Sequence, residues 1–171
     1  ETLRHSWTAP VAAPLPSLGD LTAAWGQQTG TFDLPALDRM IGAFLPGDLV
    51  VIGGRPSHGK TLFAVSWLIR NLLREPPVPV SYLSLETSAS SLYLRCLAAR
   101  AKLRLSDLRR GSLSQTEYGL AEAVDAWFHG GIPVRLLDAR QIGKRADDVL
   151  IALAAEPSAV VILDHLQDFV A

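Results

Sequence analysis

Four short runs of apolar and β-branched residues recur along the chain: DLVVIG (48–53), VSYLSL (80–85), IPVRLL (132–137) and AVVILD (159–164). A strand with one face in water alternates apolar and polar positions. These runs are apolar at successive positions, which predicts strands covered on both faces, as in a parallel sheet. Between them the period lengthens. Residues 61–73 are apolar nearly all round and predict a buried helix, while Leu92, Cys96, Ala99 and Leu103 share one helical face. Ser114 and Glu117 form a capping box for a helix carrying Leu120, Val124 and Trp127, closed by Gly130 and Gly131. Ala146, Val149, Leu150 and Leu153 mark another helix. Strands alternating with helices predict an α/β domain, a mainly parallel sheet flanked by helices.

Residues 1–30 read differently. TAPVAAPLPSLGD is rich in proline and alanine and predicts an extension or linker, with Leu21 and Trp25 on a short helix after Asp20. The domain is therefore expected over residues 31–171. At 171 residues and 49% hydrophobic, the chain is long enough for one buried core plus such an extension. A formal net charge of -1 removes any global attraction to nucleic acid, so contact with it must be local. One cysteine, Cys96, excludes an internal disulfide framework and fits a reducing, cytoplasmic compartment. The four histidines are scattered without metal-ligand spacing, and no apolar run reaches the length of a membrane span. The chain opens on Glu1 with no signal-peptide pattern, as expected of a fragment or a trimmed chain.

The first apolar run breaks into GRPSHGKT: Gly54, Arg55, Pro56, Ser57, His58, Gly59, Lys60 and Thr61. This matches G-x-x-x-x-G-K-[ST], and it lies where that motif works, after a predicted strand and at the start of a predicted helix. Glycines let backbone N–H groups approach phosphate oxygens with no Cβ in the way. The helix start adds its unpaired N–H groups and positive dipole end. Lys60 is expected across the β- and γ-phosphates and the Thr61 hydroxyl on Mg²⁺. The plain alternative is a glycine-rich turn that binds nothing. A second Gly-Lys pair, Gly143-Lys144, lacks the spacing and reads as a loop.

Hydrolysis needs carboxylates as well, one to hold metal and one to activate water. Asp164 ends an apolar strand, the expected Walker-B position, and Glu86 follows another strand. In an open parallel sheet both face the crevice at the strands' carboxyl ends. Asp164 has the alternative of capping a helix. Glu86 has the same alternative, unless Thr87 or Ser88 takes the cap and leaves it free.

GRPSHGKT, YLSLETS, LRRGSLSQTE and VVILDHLQD, in this order and spacing, resemble the ATPase domain of DnaB-type replicative helicases, hexameric motors with a RecA-like fold. The likeness runs from Thr29 to Ala171. It implies ATP and Mg²⁺ as cofactors, single-stranded DNA as partner, a hexamer when complete, and contacts with a loader or primase. It implies that Glu86 is the catalytic base, that Asp164 and Thr61 serve the metal, and that Gln167 links the γ-phosphate to DNA-binding loops. Arg55 lies in the family's motif without an assigned role. His58 and His165 stand where the family more often has methionine and tyrosine, and neither replaces a group that the chemistry needs; His58, beside the loop, either tunes affinity with pH or is a solvated side chain. The resemblance also implies that a later strand separates the P-loop strand from the Walker-B strand, so a gap is expected in this sheet. With one wall of the nucleotide site missing, weak binding and slow hydrolysis by the isolated chain are expected. Six cations, Arg95, Arg100, Lys102, Arg104, Arg109 and Arg110, form a solvated face, a subunit interface or a local phosphate contact. A RecA-like ATPase without unwinding activity and a non-catalytic nucleotide-binding module remain the alternatives to a helicase.

Overall fold

Strand β1 (Val80–Ser84) is buried at all five positions, because it is the middle strand of a three-stranded sheet with neighbours on both sides. It pairs in parallel with β2 (Val134–Asp138) and with β3 (Val160–Asp164), giving the order β2-β1-β3. The computed structural model describes Ser17, Gly19 and residues 30–168. The helix expected after Asp20, and nearly all of the extension, lie outside these residues. The helices are α1 (Pro35–Ile41), α2 (Lys60–Leu72), α3 (Ala89–Ala101), α4 (Leu105–Arg110), α5 (Gln115–His129), α6 (Ala139–Ile142) and α7 (Ala146–Ala155), with a 3-10 turn at Leu166–Asp168. An all-parallel sheet flanked by helices is the architecture the hydrophobic pattern predicts.

The core forms where α2 and α3 meet β1. Val65, Leu68, Leu72, Val80, Tyr82, Leu92 and Cys96 pack in one cluster. Each fully buried aliphatic side chain stabilises the fold by about 1.5–3 kcal/mol. A smaller cluster of Leu97, Ala121 and Val124 joins α3 to α5. Polar groups on the buried strand find partners: Ser81 shares a hydrogen bond with Ser158 at 2.7 Å, and Ser84 accepts one from the Thr87 amide at 3.0 Å. The segment entering the domain is fastened to α2, since the Trp67 indole donates to the Thr31 carbonyl at 2.7 Å and Arg74 pairs with Asp33.

Several expectations are corrected. Residues 48–53 form no strand; Leu49 is 88% and Val51 74% exposed, and the run passes the sheet unpaired. High β propensity makes a strand only where a neighbouring backbone supplies hydrogen bonds. The outer edge of β3 is likewise unpaired among the described residues, so Val161 and Leu163 are exposed on a strand expected to be covered. Helix α2 is not buried all round, since Leu62 faces solvent, and Ala99, Leu120 and Leu150 also point outward. The Ser114–Glu117 capping box and the glycine stop of α5 are found as expected, and Gly143-Lys144 is a loop.

Asp138 closes the far corner of the sheet and was not singled out from sequence. Nearly buried, it accepts hydrogen bonds from the Ala89 amide at 2.7 Å and the Arg140 amide at 2.9 Å, capping α6 while tying β2 to the start of α3. The Arg140 side chain first, then the Ala89 amide, hold its carboxyl at about 2, below the usual range. Because the folded value lies under an unfolded value of about 3.9, the contribution is present above about pH 4 and is lost as pH falls toward 2. Asp138→Ala is expected to cost about 1–3 kcal/mol in urea unfolding at pH 7, with the gap to wild type closing as the medium is acidified to pH 2. A gap constant across that range would show that the stabilisation lies elsewhere.

Candidate functional site

Parallel pairing in matched register sets Ser84, Asp138 and Asp164 abreast at the same edge of the sheet. The chain then leaves β1 through Leu85, whose amide donates to the Asp164 carbonyl at 2.8 Å, and presents Glu86 beside it. Ser88, not Glu86, caps α3 by accepting from the Ser91 amide. The Glu86 carboxylate is therefore free of capping duty, with its side chain 58% exposed. Asp164 does not cap a helix with its side chain.

The glycine loop reaches this edge through α2. Thr61, in the first turn of α2, donates from Oγ1 to Asp164 Oδ2 at 2.7 Å. This hydrogen bond joins the loop to the end of β3 although the residues leading into the loop are unpaired. Ser57 and Gly59 both have positive φ, 63° and 84°, and His58 N–H donates to the Arg55 carbonyl across a tight turn. Lys60 folds back along the loop, donating from Nζ to the Gly54 carbonyl at 2.9 Å and the Arg55 carbonyl at 3.3 Å. The N-termini of α3, α5 and α6 are capped by side chains; that of α2 is not. Its first-turn amides and the Lys60 ammonium are groups that suit an anion.

Two residues to which the sequence reading gave no role touch the acids. His165 Nδ1 lies 2.8 Å from Glu86 Oε2, while its Nε2 lies 3.4 Å from Asp164 Oδ1, so this residue bridges the two carboxylates instead of standing in solvent. Asp168 approaches the same ring at 3.8 Å. Tyr82, fully buried on β1, donates its hydroxyl to Asp164 Oδ2 at 2.9 Å. A tyrosine on a strand expected to be buried on both faces was the available clue, since a buried phenol must find an acceptor. His58 is exposed, as expected of a solvated side chain. Gln167 is exposed in the 3-10 turn and makes no side-chain hydrogen bond among the described residues.

Thr61 and Asp164 offer hard oxygen ligands of the kind Mg²⁺ prefers. Among the described residues, no cluster of three or more His, Cys, Asp or Glu is placed to hold a metal unaided. One or two protein oxygens completed by phosphate and water is the usual Mg²⁺ arrangement, so the residues present fit the ion. A pocket of about 310 Å³ touches Glu86 from the opposite side, toward Asp138, Arg140 and Lys144. None of residues 54–61 lines it, so the glycine loop and this pocket are separate features.

The chain was compared with known proteins. The family described as DnaB-like helicase C terminal domain matches residues 28–168. The replicative DNA helicase DnaB of Synechocystis is 30% identical over 90% of this chain and 17% of its own length. Its counterpart in Treponema pallidum is 34% identical over 66% of this chain and 27% of its own length. The replicative DNA helicase DnaC of Bacillus subtilis is 35% identical over 67% of this chain, 24% of its own. The matched stretch thus spans about a quarter or less of these relatives.

Gly59 begins α2 at φ 84° and ψ 17°, in the left-handed region where a Cβ is strained even with open space around it. Gly59→Ala is expected to lower stability by about 1 kcal/mol in chemical denaturation. An unchanged unfolding midpoint would mean that the loop has another backbone path.

Proposed function

The chain belongs to the DnaB-like helicase C-terminal domain family, and we propose that it is the ATP-hydrolysing part of a DNA helicase that couples nucleotide turnover to strand separation in replication. The observation that carries this reading is the meeting of the Lys60 and Thr61 end of α2 with Asp164, with Glu86 arriving from the neighbouring strand. The relatives' description as replicative DNA helicases supports the substrate class.

In this reading the α2 amides and Lys60 hold the β- and γ-phosphates of ATP, Lys60 leaving the Gly54 and Arg55 carbonyls to do so. Gly54, Arg55, Pro56, Ser57, His58 and Gly59 shape the loop around them. Thr61 and Asp164 hold Mg²⁺, which when bound neutralises charge on the phosphates. Glu86 orients the attacking water and accepts its proton, and its partly exposed carboxylate leaves room for that water. Gln167 carries the state of the γ-phosphate toward DNA-contacting segments. Assembly into a homo-oligomer, a hexamer by resemblance, supplies the second wall of each nucleotide site. Single-stranded DNA is then the track, and a loader or primase docks on the assembled ring.

Glu86→Gln in the full-length assembled protein is expected to keep ATP affinity within about twofold and to reduce turnover at least 100-fold, the range of one general base. Binding of a fluorescent ATP analogue and steady-state phosphate release measure the two. Undiminished turnover would remove Glu86 from its role. ATP turnover without strand separation on a forked duplex would favour the RecA-like ATPase that does not unwind.

A further inference from the structure

We propose that Tyr82 is a positioning residue for the divalent-cation site, its buried hydroxyl fixing which oxygen of Asp164 faces the metal. The proposal rests on the function assigned to Thr61 and Asp164 above.

Asp164 Oδ2 accepts two hydrogen bonds, from Thr61 Oγ1 at 2.7 Å and from Tyr82 Oη at 2.9 Å. On the other oxygen, Oδ1, the His165 Nε2 contact is at 3.4 Å. The two carboxylate oxygens are therefore inequivalent. Two donors on one oxygen oppose rotation of the carboxylate and occupy that oxygen's lone pairs, leaving Oδ1 as the one with capacity to spare. The Thr61 hydroxyl spends its single proton on Asp164, so its own lone pairs remain available to a cation.

Tyr82 is suited to the task by its place in the sheet. It lies opposite Ile162 on β3, two residues before Asp164, about 6.6 Å along the strand. A tyrosine side chain spans that distance. The ring is fully buried in the main core cluster between α2, α3 and the sheet, and so cannot swing away. A phenylalanine would fill the same volume without burying a polar atom. The hydroxyl is what reaches the acid.

Tyr82→Phe in the full-length protein removes that one atom. The binding of a fluorescent non-hydrolysable ATP analogue is titrated with Mg²⁺, and Mn²⁺ binding is followed by electron paramagnetic resonance. The expected result is a half-saturating metal concentration raised about tenfold, the low end for a hydrogen bond to a charged group. Nucleotide affinity without metal stays within twofold, and turnover recovers at saturating Mg²⁺. In an Asp164→Asn background Tyr82→Phe adds nothing to the metal titration. An unchanged titration in Tyr82→Phe beside a metal-responsive wild type overturns the proposal alone, as does an equal loss of metal-free nucleotide affinity. A wild type whose nucleotide binding ignores Mg²⁺ overturns the assigned function and the proposal together.

Discussion

Strand β1 is paired in parallel on both sides, and its two ladders run in step, so that Ser84 faces Asp138 on one flank and Asp164 on the other. Everything chemical in the domain depends on that alignment. Parallel strands all end on the same side, and the segments that follow must leave from one edge. A slip of one residue between β1 and β3 would turn every β3 side chain to the opposite face and carry Asp164 away from Thr61. The register is held by β3, where Val160 and Ile162 pack against the core while Val161 and Leu163 face outward, so a slip would exchange the two sets and expose the packed pair.

Carboxylates gather at this edge in a way that stability alone does not favour. Glu86, Asp164 and Asp168 all lie within 4 Å of one imidazole, that of His165. Like charges held close repel, and a fold selected only for stability would spread them out. Their convergence makes sense where a cation and a phosphate chain are to be bound. The acids are held by groups of different character: the buried Tyr82 phenol, the Thr61 hydroxyl on a helix, and His165 between Glu86 and Asp164. Such a surrounding shell holds the two carboxylates in place.

The opposite flank of the domain has apolar residues without cover. Leu49 and Val51 are exposed on the unpaired run before the glycine loop, Leu62 on α2, and Val161 and Leu163 on β3. The run before the loop has strand composition, and neither it nor the outer edge of β3 is paired among the described residues. The site is nonetheless assembled, because α2 is anchored to the core through Val65, Leu68 and Leu72 and brings Thr61 to Asp164 from the helix side. The loop's position thus depends on helix packing and not on the unpaired run that leads into it.

Legible in the sequence alone were the α/β class, the glycine-lysine-threonine motif of Gly54–Thr61, the acids Glu86 and Asp164 at strand ends, and the capping box at Ser114 and Glu117. All of these are written in local patterns: residue type, spacing of three or four, and apolar runs. What it could not determine was anything set by a partner distant along the chain. Residues 48–53 have strand composition but no neighbour to pair with, and pairing is a property of two segments. Ser88, not Glu86, caps α3, a choice made by backbone geometry. Tyr82 and His165 read as a core residue and a bystander, since their contacts with Asp164 and Glu86 come mostly from other strands. Asp138 looks like a plain strand-end acid until α3 is packed against it. Local chemistry is fixed by covalent order, whereas register and burial decide which of those groups share an oxygen, and that is a matter of tertiary structure.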